Sequence, residues 1–367
     1  MTTKYQRNPW LYPEWAADGR LAVTDARDGR TFAVTPAVME LLGRLARPLP
    51  ASALANGSAT RAAELLDRMA AAGLVHVTNG TEDQRNTEDT GEPEDPAGTW
   101  TACELALHTQ VARRGGPLTS VRLKDIPPAR LTHPEASEVI SLGEDTREEE
   151  AGGPLPEVLR ARRSIRDYLD RPLSRQQLAT FLHRAARVRA RLAPERIQIT
   201  RRPSPSGGAR HSIELYVVAR DVSGLAPGAY HYDPFDHRLE RLAAWSGELA
   251  ELQRKLITVA TLVDRPPQVS LYLASCFRRT RCKYRASALY TIYCDVGCLL
   301  QTMYLVATDL GLAPCATAVL ESPISPSFLR PHANDLIHVG NFALGIPDPD
   351  EPTSPQVLPL DRTKEQA

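Results

Sequence analysis

Pro203-Ser204-Pro205-Ser206-Gly207-Gly208-Ala209-Arg210-His211 runs almost directly into Ile213-Glu214-Leu215-Tyr216-Val217-Val218. Paired glycines let a backbone take positive φ or pass close to a flat ligand. The apolar, β-branched stretch that follows reads as a strand. Ser206 can donate to a polar ring edge, and Arg210 can offset negative charge. Taken alone, the stretch is also what an ordinary Pro/Gly loop looks like. A second stretch, Arg162-Arg163-Ser164-Ile165-Arg166, stands where a short helix over 155–162 meets a loop. Three guanidiniums and a hydroxyl within five residues suit an anion, because arginine donates bidentately to phosphate and serine adds a donor. The bland alternative is a solvated basic turn.

Working outward, the texture from Leu155 onward alternates helix and strand. Ser174-Arg175-Gln176-Gln177 reads as a capping box opening a helix to about Arg187. Residues 229–232 and 238–242 read as a hairpin, 269–274 as a buried strand and 337–344 as the last strand. Residues 284–310 read as one long helix, apolar on most faces, ended by Gly311 and buried in a core or an oligomer interface. The pattern predicts an α+β domain over 155–350, with a mostly antiparallel sheet flanked by helices, and a tail over 351–367.

Residues 1–78 read as a separate module. Strands over 21–24 and 31–34 flank Asp28-Gly29, which suits a tight turn. Thr35-Pro36 looks like a helix start, with Val38, Leu41, Leu42 and Leu45 following at helical spacing. A second helix, 59–72, places Leu65, Leu66 and Met69 on one face and ends at Gly73. Residues 74–77 close the module as a strand. Hairpin, helix, helix and strand suggest a winged-helix-like domain. Its second helix offers Arg61 and Arg68 but also Glu64 and Asp67, which favours peptide or protein contact over DNA. Residues 79–99 read as an acidic disordered linker and 100–154 as a connector, with a helix over 100–112 and a solvated acidic stretch over 144–150.

The 367 residues carry 44 Lys and Arg against 44 Asp and Glu. No global field therefore argues for nucleic acid or an anionic membrane surface. No apolar run is read as long enough to span a bilayer, and the N-terminus lacks an apolar signal region, so a cytoplasmic protein is expected. The six cysteines form no Cys-x-x-Cys pair and read as free thiols. Cys294 and Cys298 share a helical face, where buried packing is expected. No metal site is expected.

Taken together, the Arg-Arg-Ser turn and the Ser-Gly-Gly loop leading into the Ile213 strand resemble the nitroreductase-like flavoproteins. The match is closest to the SagB/McbC-type peptide azoline dehydrogenases, which form thiazoles and oxazoles in ribosomally made peptides. Three further features resemble that branch: Pro227-Gly228-Ala229-Tyr230-His231-Tyr232-Asp233-Pro234, the pair Lys283-Tyr284, and the winged-helix-like N-terminal module with its Trp-containing connector. Ser212 departs from it, standing where many members carry proline. The resemblance implies bound FMN, with Arg162, Arg163 and Ser164 near its phosphate or ribityl chain and Arg166 near the N1/O2 edge. It places Ser206, Gly207, Gly208 and Arg210 along the ring and ribityl, and Ala316 and Thr317 at a further flavin-contacting turn. It makes Lys283 and Tyr284 the catalytic pair, since azole formation removes a proton as well as a hydride and a desolvated lysine can accept one. It also implies a homodimer, a precursor-peptide substrate and a cyclodehydratase partner. Two rivals stay open: an FMN-dependent reductase of dehydroamino acids or nitroaromatics, and a non-catalytic scaffold subunit.

Overall fold

Along Ile213–Ala219, alternate residues serve two different cores. Ile213, Leu215, Val217 and Ala219 join one apolar cluster, and Tyr216 and Val218 join another. A strand's period of two does this whenever both faces of a sheet are covered. In the computed structural model that strand lies mid-sheet among seven. The order is Ala313–Thr317, Leu336–Gly345, Val269–Cys276, Ile213–Ala219, Gly228–Asp233, Arg238–Ala244 and Glu138–Ser141, with every pairing antiparallel. The structure describes residues 3–15, 19–54, 58–78, 102–113, 126–143, 152–192, 198–258, 265–284, 287–317, 325–332 and 335–348.

One face of the sheet is covered by two helices, Arg175–Ala186 and Ala288–Asp309. Leu178, Phe181 and Leu182 of the first pack with Ile292, Val296, Leu299 and Met303 of the second. The capping box opens the first as expected: Ser174 Oγ accepts from the Gln177 amide (3.0 Å), and Gln177 Oε1 accepts from the Ser174 amide. The other face is covered by Gly247–Gln253, Leu256, Ile257 and the short 3-10 helix Ser327–His332. Gly228 is required by the hairpin: a Cβ there would run into the Ala243 carbonyl, beside a bulge at Ala229/Tyr230.

Three expectations change. The long helix expected over 284–310 starts at Ala288, and Phe277–Tyr284 is a separate helix before it, so Lys283 and Tyr284 end that helix rather than start the long one. Ala288–Asp309, 22 residues at mean hydropathy 1.2, is long and apolar enough to cross a bilayer by length and composition, contrary to the expected absence of such a run. Here one of its faces forms core against the sheet. Cys294 and Cys298 do share a face, but it is the exposed one, because Ile292, Val296 and Leu299 take the core side.

The chain divides into two units, Met1–Pro117 and Leu118–Ala367. In the first, Thr35 caps Pro36–Arg44 and Gly29 and Gly73 take positive φ, as expected. Leu66 and Met69 are buried, whereas Leu65 is exposed. Three strands were not read from sequence, Lys4–Arg7, Leu11–Trp15 and the short Leu49–Pro50. Lys4–Arg7 captures Val75–Thr78 and Leu49–Pro50, while Leu11–Trp15 extends the hairpin. The closing strand therefore pairs away from the hairpin, and the unit is two three-stranded sheets with helices rather than a winged-helix subdomain. Ala102–Arg113 is a helix where one was expected. The linker over 79–99, the acidic stretch 144–150 and the tail lie outside the described residues.

A buried ionic network crosses the second face of the sheet. Arg279, fully buried, donates to Glu214 Oε1, and His231 bridges Glu214 (3.2 Å) and Glu240 (2.9 Å). Burial works against the Glu214 charge, but Arg279 and His231 outweigh it and hold the carboxyl well below its ordinary range. Removing one partner of a buried pair strands the other. Arg279→Met should therefore cost about 3–5 kcal/mol of stability, measured by urea denaturation. A loss below about 1 kcal/mol would show that the pair does not hold the fold.

Candidate active site

The first group of candidate residues gathers around Tyr304. Helix Leu155–Ala161 ends at Arg162, whose guanidinium carbon lies 5.4 Å from the Tyr304 ring centroid, a cation–π arrangement. Ser164 Oγ is 2.7 Å from Tyr304 Oη, which also accepts from the Ala316 amide (2.7 Å). The Ile165 amide donates to the Pro314 carbonyl (2.8 Å). Arg166 approaches Cys315: burial pushes that thiol up and Arg166 opposes the shift. The turn carrying Arg162, Ser164 and Arg166 is thus fastened to the strand carrying Ala316. Arg163 and Arg166 are exposed, so their donors are open to an anion. Thr317 turns its hydroxyl to the Leu256 carbonyl (2.6 Å).

The second group gathers around Asp295. Ser206 Oγ donates to Asp295 Oδ2 (2.7 Å), the Gly207 amide donates to Oδ1 (2.8 Å), and Ser206 Oγ accepts from the His211 amide (2.9 Å). Burial raises the Asp295 carboxyl, and these two bonds partly restore it. The backbone here is forced. Gly208, Ala209 and His211 all take positive φ (60°, 55° and 42°), which is unfavourable for the two non-glycine residues and typical of functional loops. A Cβ on Gly207 would collide with Thr291 and come within 3.4 Å of Tyr284 Cε2. A Cβ on Gly208 would lie 2.5 Å from Lys283 Nζ. The glycine pair and the Lys-Tyr pair, far apart in sequence, therefore touch. Lys283 Nζ sits 5.6 Å from the Tyr284 ring centroid. Burial, with Asp295 nearby, raises the Tyr284 phenol, which stays protonated at neutral pH.

Arg210 sits apart from the other candidates. It is 1% exposed, and its guanidinium donates to the carbonyls of Arg279 (2.9 Å), Pro127 (3.3 Å) and Gln198. It braces the loop against the Lys283 helix from behind.

Both groups hang on the helix Ala288–Asp309, on opposite flanks. Asp295 and Tyr304 are nine residues apart, about half a turn out of phase at 3.6 residues per turn and roughly 14 Å along the axis. Between the flanks, on the side away from the core, Tyr290, Tyr293, Cys294, Gly297, Cys298 and Gln301 are exposed. One chain thus does not bring the anion-suited turn to the glycine cradle.

Sequence reading missed Asp295 and Tyr304, which organise the two groups. Asp295 had a signal: it is the sole charged residue before Asp309 in an otherwise uncharged 22-residue helix. Tyr304 had none.

The nitroreductase family profile matches residues 159–330. A Methanocaldococcus jannaschii protein named as a nitroreductase is 32% identical over 162 residues, covering 43% of this chain and 75% of its own length. The trifolitoxin-processing protein of Rhizobium leguminosarum bv. trifolii is 34% identical over 114 residues, 30% of this chain and 31% of that protein. Among solved structures, a Ralstonia eutropha nitroreductase aligns at 21% identity over 64% of this chain and 98% of its own (TM-score 0.45). A chain of the E. coli microcin synthetase complex aligns at 21% over 65% and 86% (TM-score 0.41). Over its sheet domain, this chain belongs to the nitroreductase family.

Proposed function

We propose that the chain is an FMN-dependent oxidoreductase acting as a homodimer, with reduction of acceptors such as nitro groups at the expense of NAD(P)H as its basal activity. The observation that carries this reading is the pair of half-sites on opposite flanks of one helix, an anion-suited turn and a flat glycine cradle. The exposed face between them is where a second copy would pack. If the two helices cross antiparallel there, the Asp295 half of one copy meets the Tyr304 half of the other.

The residues present fit FMN. Arg162, Arg163 and Ser164 would take the phosphate or ribityl chain, with Arg166 at the ring edge. Ser206, Gly207 and Gly208 would lie along the ring, where any Cβ is already excluded by Thr291 and Lys283, and Ala316 and Thr317 would close the opposite side. FMN, when bound, supplies hydride acceptance or donation. Asp295 holds Ser206 and the Gly207 amide in place. Tyr304 holds Ser164 and the Ala316 amide.

A second reading, oxidation of peptide azolines, has its own observation: Lys283 Nζ rests on Gly208 with Tyr284 on Gly207. Lys283, as the free amine, would be placed to take a proton from a ring carbon as hydride leaves, with the Tyr284 phenol orienting it. The similarity to the trifolitoxin-processing protein supports a peptide substrate; a precursor peptide and a cyclodehydratase partner belong to this reading as proposals.

Two outcomes are expected. Arg162→Ala with Ser164→Ala should weaken FMN retention at least about 10-fold, since hydrogen bonds to charged groups contribute about 1.5–3 kcal/mol each. Full FMN occupancy in that double variant, read by absorbance after desalting, would refute the phosphate assignment. Lys283→Ala should lower two-hydrogen loss from an azoline peptide by about 10²–10⁴-fold while NAD(P)H-driven nitro reduction persists. Lys283→Arg should not rescue, because a guanidinium stays protonated. A wild type that reduces nitroaromatics and leaves azolines untouched would leave the reductase reading alone.

A further inference from the structure

A cluster that shares no residue with the candidate active site lies on the other face of the sheet. His133 and Glu135 sit just before the edge strand Glu138–Ser141, and His332 ends the 3-10 helix Ser327–His332. Their ligand atoms all lie within 4.8 Å of one another. His133 Nδ1 is 2.8 Å from Glu135 Oε1, and His332 Nε2 is 3.3 Å from the same oxygen. Donors about 2.0–2.2 Å from a tetrahedral metal stand roughly 3.3–3.5 Å apart; the His332–Glu135 separation already matches, the His133–Glu135 pair must open by about half an ångström, and no pair lies beyond 4.8 Å.

Two details favour a metal over a plain ion-pair cluster. His332 Nε2 is buried and makes no hydrogen bond, although Glu135 lies at ion-pair distance. The distance is right and the angle is wrong, which leaves a buried polar nitrogen unsatisfied at a real cost. Ligation to an ion between the three groups would satisfy it. His133, 4% exposed, turns its other nitrogen to Tyr216 Oη at 3.2 Å. With Nδ1 as ligand, Nε2 must carry the proton and donate it, and ligating histidines almost always have such an outer partner.

We propose that His133, Glu135 and His332 bind one Zn(II) per chain, with Tyr216 orienting His133. Two imidazoles and one carboxylate are a recognised zinc donor set that leaves a fourth position for water. The ion clamps the segment entering the edge strand to the 3-10 helix across the second face of the sheet. Sequence inspection could not show this, because the ligands come from opposite ends of the domain.

The test uses the full-length, FMN-loaded protein with its thiols alkylated, stripped by chelator and titrated with zinc chloride against a chromophoric chelator. One zinc per wild-type chain is expected. His332→Ala and Glu135→Gln, both at partly exposed positions, should each weaken binding at least about 100-fold, and Tyr216→Phe about 10-fold, with FMN content and far-UV circular dichroism unchanged. Two results would overturn the proposal: a wild type that takes up no stoichiometric zinc, or a His332→Ala variant that binds it as the wild type does.

Discussion

The contact between Arg279 and Glu214 fixes where the chemistry can happen. Glu214 lies on the central strand immediately downstream of the glycine loop, and Arg279 lies on the helix that ends in Lys283 and Tyr284. The Arg279 guanidinium and the Glu214 carboxylate, both buried, balance each other's charge. Neither element can slide without stranding a charge. Arg210 adds a crosslink by donating to the Arg279 carbonyl. Lys283 is thereby held against Gly208, and the loop pays for this closeness with left-handed backbone at Gly208, Ala209 and His211.

The helix Ala288–Asp309 is the second constraint. One side is core, and its two flanks carry Asp295 and Tyr304, each gathering one set of candidate residues. Its remaining side exposes two tyrosines, at 47% and 50%, among small residues. Large exposed aromatics beside small side chains suit a close helix–helix contact, and they lie between the half-sites. The proposed homodimer and the proposed cofactor therefore depend on the same face.

Much of this was legible in the sequence because it is local. The Ser174 capping box, the Thr35 cap, the alternation along 213–218 and the hairpin over 228–244 all follow from short-range spacing. Which side of a helix faces the core is not local, and so Cys294 and Cys298 were expected inside and stand outside. The break between Tyr284 and Ala288 was hidden because no proline or glycine marks it. Arg210 was expected beside the cofactor from the family resemblance. Its three carbonyl acceptors belong to segments distant in sequence and could not be foreseen. The strand Lys4–Arg7 was missed for a related reason: Lys4, Gln6 and Arg7 around a single core residue, Tyr5, become a strand only because Val75–Thr78 and Leu49–Pro50 pair with them.

The central claim is that two copies of this chain complete a flavin site that one copy leaves divided. Native mass spectrometry of the purified full-length chain tests it directly. The account predicts a species of two chains carrying two FMN molecules, and Tyr293→Glu on the exposed helix face should release monomer and flavin together. A monomer that retains FMN would contradict it.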